Sequence, residues 1–464
     1  MSTSTNPRSG IDSLCALRDE LNVLVDNLAS SEDPLPSLGD LDTPFSLPSS
    51  TVKDAIGTTR ELLALLQGAT APLDKAFALH IPACLGVAVE VHVAETLREG
   101  QKEGKLALHV DEIAKSSTID PTKLARILRL LAADHIFVEK EPDVFALNRC
   151  AVLLDTGMSV KELQGTKDFY SGSNGFAAMI AHSADDTLKG AAHYVEVLLD
   201  PKTASSTAPE EGPLARGLGA QGVSIWEHWS KPEHEYKVKR FANAMNALES
   251  LMGSGAVGGF PFHELSQDTL VVDVGSGVGA FSFVLHKTAP QLKLVLEDRP
   301  EVVEGETKKA WEEKYPDSLK SGHVQLLGHD FFTPQPVKNA DIYLLRCIIH
   351  DWSDGESIKI LKHLAAAAGP LSKLILVEQP YDYLSSSSGS SGSKSKRQPV
   401  MPYCMDVRML ELGGKERTEE QYRALGEKAG WRLVKMWATG EGGNEGAFRQ
   451  YEFEVAEKEK ENGE

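Results

Sequence analysis

Cysteine is scarce in this 464-residue chain. Cys15, Cys84, Cys150, Cys347 and Cys404 are scattered, odd in number and without paired metal-ligand spacing. That argues against a disulfide framework or a structural zinc, so no metal is expected, and it fits a reducing, cytoplasmic compartment. Positive charge is also short. The 48 Lys and Arg stand against 67 Asp and Glu, a formal net charge of −19, so phosphates would be repelled over most of the surface and no nucleic-acid partner is expected. Residues 1–14 are polar and have no apolar core behind a basic start, which argues against a secretory signal. No apolar run reads as long enough to span a bilayer, so no membrane partner is expected.

What is present is the composition of a soluble globular protein, 41% hydrophobic and 25% charged, at a length that fits two domains. Leu14, Leu17, Leu21, Leu24 and Leu28 recur at alternating three and four spacing and predict a helix over 11–28. It packs either on its own domain or on a partner subunit. A Ser/Pro-rich linker follows. From Val52 to Leu154 the pattern is mostly helical. A short helix ends near Ser116, and a second starts near Asp120 with Pro121 in its first turn and Leu124, Ile127, Leu128 and Leu131 on its apolar face. Residues 135–139 and 144–147 then read as a hairpin. The outline is a winged helix, but Lys123, Arg126 and Arg129 on the second helix are offset by an acidic wing, which disfavours DNA. Residues 1–160 are therefore assigned to a mainly helical, winged-helix-like first domain.

In residues 161–464, apolar strand-like runs (LVVDV, KLVLE, HVQLL, DIYLLR, KLILVE) alternate with helical stretches. This predicts an α/β fold with a mostly parallel, Rossmann-like sheet. WRLVKMWAT and FRQYEFEVA, joined by a Gly-rich turn, predict a closing hairpin with an antiparallel strand. The Ser/Gly-rich segment 385–398 reads as a loop at the ligand-binding rim, either a lid or a neutral insertion, and the last residues read as a solvated charge run.

Two motifs carry the chemistry. The first is Asp273-Val274-Gly275-Ser276-Gly277-Val278-Gly279, a strand, a glycine turn and a helix. Gly275, Gly277 and Gly279 let the backbone approach a ligand. An acid about twenty residues on, Asp298 or else Glu297, can accept both ribose hydroxyl protons. Asp273 can orient the loop or meet the ammonium of a methionine moiety, whereas a pyrophosphate would not welcome it. This favours S-adenosylmethionine over a nicotinamide dinucleotide, the rival reading. Asp330 can accept from an adenine amino group, with Phe331 covering the ring face. The second motif runs from Arg346 to Glu356. Ser353 and Glu356 form a capping box, so His350 lies just past a strand at the ligand-binding rim. Glu378, ending the next strand, and Glu416, in Gly413-Gly414-Lys415-Glu416-Arg417-Thr418, can converge on it. A phenol, with a pKa of about 10, is a poor nucleophile at pH 7 until a base takes its proton. Trp226, Trp229, Phe241, Met245 and Met409 are candidates to line a flat apolar substrate site, though each is also an ordinary core residue.

HDW before a capped helix, GGKERT before another, and DVGSGVG together resemble the plant and fungal small-molecule O-methyltransferases of the caffeate, flavonoid and sterigmatocystin group, over about Phe77 to Val455. The resemblance implies a homodimer built on the winged-helix-like domain and S-adenosylmethionine as cofactor. It implies His350 as base flanked by Glu378 and Glu416. Gly275, Asp298, Asp330 and Phe331 would bind cofactor, and Trp352 would cover the adenine side. That family often has Lys where this chain has Arg346, which can still serve near the cofactor, and Phe-Asp-Leu-Pro where it has Glu297-Asp298-Arg299-Pro300. The Ser/Gly segment and residues 183–221 are unlike the plant members and look fungal. A non-catalytic regulator on the same fold is the remaining alternative, disfavoured by the intact glycines and His350.

Overall fold

The computed structural model describes residues 10–31, 35–41, 49–166, 168–170, 172–252, 257–383, 400–439 and 448–456. The Ser/Gly segment, the Gly-rich turn of the last hairpin, the charged tail and much of the Ser/Pro linker lie outside the described residues. The chain divides into two compact units, the first reaching Leu188 and the second beginning at Lys189. The division falls later than residue 160 because helix Phe176–His182 packs on helix His80–Glu90, burying Ala177, Ala178 and Ala181.

In the first unit, helix Gly10–Ala29 packs on helix Ser50–Gln67. Its leucine stripe is the covered side, with Leu17 buried and Val23 and Val25 exposed. Helix Pro121–Ala133 is capped by Asp120, whose carboxylate accepts from the Thr122 and Lys123 amides, and it buries Leu124, Leu128 and Leu131. Strands β1 (Leu108–His109), β2 (Phe137–Glu141) and β3 (Val144–Leu147) form a sheet in the order β1-β3-β2, completing the winged helix. Arg129 of the second helix pairs with Glu139 and Asp143 of the wing at 2.9 and 2.7 Å, so its charge is already committed. One expectation is corrected here. The helical stretch Ser50–Glu90 is long and apolar enough, by length and composition, to cross a membrane. It consists of helices Ser50–Gln67, Ala71–Phe77 and His80–Glu90, with Gly68 ending the first at a positive φ of 52° and Pro72 in the first turn of the second. It leaves Leu66, Leu73, Phe77 and Leu79 exposed.

The second unit is built on strands β4 (Leu270–Val274), β5 (Lys293–Asp298), β6 (Val324–Gly328), β7 (Ile342–Arg346), β8 (Lys373–Glu378), β9 (Trp431–Ala438) and β10 (Arg449–Val455). Their order is β6-β5-β4-β7-β8-β10-β9. β4 to β8 are parallel, and β10 runs antiparallel to both β8 and β9. Alternate residues face opposite sides. Val272, Tyr343, Leu345, Leu374 and Leu376 pack with helices Asp354–Ala367 and Glu419–Lys428. Val271, Ile342, Leu344, Ile375 and Val377 pack with Phe281, Leu285 and Trp311 on the other face. Burial on both faces explains why these strands read as unbroken apolar runs. The C-terminal ends of the parallel strands form the rim where such sheets bind ligands.

A set of short helices, among them Tyr194–Leu199, Pro213–Gly217 and Ile225–Trp229, precedes β4. It is tied to the sheet domain by Glu411. That residue is 2% exposed, accepts from the Tyr194 hydroxyl at 2.7 Å and offers its carbonyl to the Leu214 amide at 3.3 Å. Burial pushes its carboxyl up to about 7, against the Tyr194 hydrogen bond and Arg408. Folding therefore favours the protonated form, and the chain loses stability as pH rises from the ordinary carboxyl value of 4.5 through about 7. Glu411→Gln, neutral at every pH, should melt close to the parent at pH 4.5 and above it at pH 8. Thermal melts at both values check this, and an equal shift at both would clear Glu411 of the effect.

Candidate active site

The glycine turn is supported from beneath. Asp273 is buried and accepts from the Ser282 hydroxyl at 2.6 Å, which fixes the helix leaving the turn. Gly275, Gly277 and Gly279 all have left-handed φ, 74°, 55° and 81°. The amides of Gly275 and Ser276 donate to the Glu297 carbonyl at 2.8 and 3.0 Å. A Cβ on Gly275 would stand 2.6 Å from Ile348, and one on Gly279 2.5 Å from Leu296 and Trp311, whereas one on Gly277 would meet none of the described residues within 4 Å. Two glycines thus serve close packing, and the middle one presents backbone to open space.

The two acids ending β5 are told apart by their partners. Glu297 is buried and its carboxylate is taken by His329 at 2.5 Å and by Gln335 at 3.0 and 3.1 Å. Asp298 faces the turn. Its carboxylate accepts from the Gly277 and Arg299 amides, each at 2.8 Å, and those bonds oppose the upward push of burial on its pKa. A carboxylate has about four acceptor sites, so two remain for ribose hydroxyls. Asp330 is exposed and closes an Asx turn on the Phe332 amide at 3.0 Å. Phe331, Phe332 and Trp352 form an edge-on cluster with centroids 4.7 to 5.9 Å apart. The Phe331 ring borders Gly275. Arg346 lies near the Phe281 and Phe448 rings, at 5.8 and 5.9 Å.

Three separate segments meet around His350. Its Nδ1 is 2.9 Å from Glu416 Oε1, and its Nε2 lies 3.6 Å from Asp351. Glu378 is fully buried. Its Oε1 accepts from the Ile348 and Ile349 amides at 3.2 and 2.9 Å, so it holds the backbone that carries His350. The Gly414 backbone lies against the His350 carbonyl so closely that a Cβ there would clash, and the Lys415 amide donates to that carbonyl at 2.9 Å. Burial works against a charged imidazole, but Asp351, Glu416 and Glu378 outweigh it and raise His350 to about 10. Burial pushes the Glu378 carboxyl up to about 7.

Sequence reasoning passed over Arg417. It is fully buried. It donates to the carbonyls of Ile349 and Trp352 at 2.8 and 2.7 Å and makes a fork with Asp354 at 2.8 and 3.0 Å. The signal was there, an Arg next to Glu416 inside a motif already singled out. The capping box at Ser353 is half made. Ser353 accepts from the Glu356 amide, and the Glu356 carboxylate takes Lys359 at 2.6 Å. The box at Thr418 and Gln421 is complete.

Of the candidate substrate residues, Trp226, Trp229 and Phe241 pack on one another at 5.2 to 5.8 Å and form a small core with Leu214 and Ile225. The Trp226 carbonyl accepts from Arg299 at 3.2 Å, next to Asp298. Met409 is buried, and its carbonyl accepts the Gly414 amide at 3.0 Å, so it supports the segment bearing Glu416. Met245 is half-buried in helix Glu235–Met252.

A parallel sheet closed by an antiparallel strand, with a glycine turn and an acid at consecutive strand ends, defines a class I methyltransferase fold. Residues 216–432 match the O-methyltransferase domain and residues 73–156 the O-methyltransferase dimerisation domain. An O-methyltransferase of Armillaria gallica is 37% identical over 77% of this chain and 78% of its own length. A 4-O-methyltransferase of Phanerochaete chrysosporium is 36% identical over 80% and 81%. The solved structure of OxaC with sinefungin and meleagrin shares the fold at 18% identity, over 96% of this chain and 99% of that one, with a TM-score of 0.72. The chain belongs to the S-adenosylmethionine-dependent O-methyltransferases. The nicotinamide reading is thereby set aside.

Arg417→Lys keeps a charge but not a planar fork able to serve two carbonyls and a carboxylate. A displacement of the His350 loop by ~1 Å is expected to cost about 10²-fold in turnover, with little change in cofactor affinity. Turnover and calorimetry on the same preparation check the split.

Proposed function

We propose that this chain methylates a phenolic hydroxyl of a small aromatic secondary metabolite, with His350 as general base. The observation that carries the reading is the 2.9 Å contact between His350 Nδ1 and Glu416 Oε1. It fixes the ring and leaves Nε2 to take a proton from the acceptor oxygen. When bound, S-adenosylmethionine supplies an electrophilic methyl group on a cationic sulfur. The open face at Gly277 fits close approach of that cofactor, with Asp298 for its ribose, Asp330 and Phe331 for its adenine and Trp352 beside them. Arg346 lines the neighbouring strand end. Glu378 acts as a positioning residue through the amides of Ile348 and Ile349. The surrounding carboxylates raise the imidazole to about 10, which moves it toward the range of a phenol.

His350→Ala should lose about 10² to 10⁴ in turnover while still binding cofactor. His350→Gln should not restore it, since an amide cannot accept the proton, and the loss should shrink for acidic phenols. The sign of the pH dependence follows from the raised imidazole. The base form grows as pH rises toward about 10, so kcat/KM climbs across the alkaline range. Glu416→Gln removes a group that raises His350 and should move that limb to lower pH. Substrate ionisation would leave the limb where it was, and an unmoved limb would take His350 out of the mechanism. No turnover with any phenol in a panel, in a protein that binds S-adenosylmethionine, would favour a regulator instead.

The same reading includes a homodimer built on the dimerisation domain, with the exposed apolar residues of Ser50–Glu90 at its interface. Leu66→Asp with Phe77→Asp should shift sedimentation from dimer toward monomer. A dimer of unchanged strength would move the interface elsewhere.

A further inference from the structure

Three ligand-type side chains meet at the end of β7 and β8. The Cys347 sulfur, an imidazole nitrogen of His350 and a carboxylate oxygen of Glu378 all lie within 4.8 Å of one another. Cys347 adopts a left-handed φ of 51°, and its amide is pinned to the Val377 carbonyl at 3.0 Å. Glu378 is fully buried. Its Oε1 serves two amides, but its Oε2 is buried with no hydrogen-bond partner among the described residues, and Glu416 Oε2 is in the same condition. A buried carboxylate oxygen without a donor is costly, and a cation is the group that would satisfy it.

The donor set says which cation. Sulfur, nitrogen and oxygen from three side chains, with a fourth position free, is the composition of an open zinc site. Calcium and magnesium prefer all-oxygen shells. Bonds of about 2.0 to 2.3 Å place tetrahedral neighbours roughly 3.3 to 3.8 Å apart, so side-chain adjustments of about 1 Å would close the set. Glu416 on Nδ1 orients the ring as second-layer carboxylates do around zinc-bound histidines. We propose that Cys347, His350 and Glu378 form a binding site for Zn²⁺ or another thiophilic divalent ion, and that its occupancy switches methyl transfer off. Binding exchanges the thiol proton, and any proton on the imidazole or the Glu378 carboxyl, for the ion, with no change of oxidation state. The switching half rests on His350 being the base. The binding half does not.

The test uses full-length protein freed of metal with chelator. Zn²⁺ titrated against a competing chromophoric chelator should show one site per chain. Co²⁺ should give a thiolate-to-metal charge-transfer band. Zn²⁺ should abolish turnover, and chelator should restore it. Cys347→Ser, which keeps chelator-treated turnover, should lose the band, lose at least about a hundredfold in Zn²⁺ affinity (outer-layer partners alone account for about 10- to 100-fold) and resist inhibition. Cys347→Ala serves the same purpose if the serine variant melts early. Absence of the band in the parent, or equal binding and inhibition in both variants, overturns the site. A band lost with Cys347, together with turnover indifferent to Zn²⁺, overturns the switching half and with it the role of His350.

Discussion

Arg417 carries its charge with no exposed surface, and the rim of the sheet depends on where that charge sits. Its guanidinium spans the two carbonyls on either side of His350 and ends on Asp354, at the start of the following helix. Pro380, just past β8, bridges to Arg417, and the Tyr381 amide donates to its carbonyl at 2.9 Å. One side chain and its own backbone therefore tie together the ends of β7 and β8 and the segment that brings Glu416. A buried cation is expensive unless several acceptors share it. The converse also holds, for the carbonyls cannot leave without stranding it, and this makes the loop geometry close to all-or-none.

The cofactor side is organised by backbone rather than by charge. Glu297 spends its carbonyl on Gly275 and Ser276 and its carboxylate on His329 and Gln335. That leaves Asp298, one residue on, to face Gly277. In a strand, consecutive side chains point to opposite sides. Two adjacent acids at one strand end can thus do two jobs, one inside the protein and one toward a ligand. Arg299 reaches the Trp226 carbonyl and so couples this strand end to the helices before β4.

Much of this was legible in the sequence, for definable reasons. Apolar runs of strand length separated by helical stretches marked β4, β5, β7 and β8, because burial on both faces leaves a strong signal. The winged helix was legible from Asp120, Pro121 and an acidic turn, since caps and turns are local chemistry. What stayed hidden was non-local. That Glu297 rather than Asp298 is consumed depends on His329 and Gln335, 32 and 38 residues away. That Asp273 turns inward depends on Ser282. Arg417 looked like one more charge in a polar motif until three carbonyl and carboxylate partners from another loop surrounded it.

The chemistry around His350 follows from an imbalance of charge. Asp351, Glu378 and Glu416 all act on one imidazole, and Arg417 is committed to Asp354 and carbonyls. Burial resists ionising both Asp351 and Glu378, so the cluster lowers its energy by gathering positive charge. A proton on His350 is the smallest way to do so, and it is the form that cannot act as a base. A cationic methyl donor nearby would oppose that proton, because two like charges at short range raise each other's cost. A thiophilic ion would replace the proton outright. The three carboxylates that make His350 a strong base are thus the same groups that make it a good seat for any cation, and the outcome depends on which cation arrives.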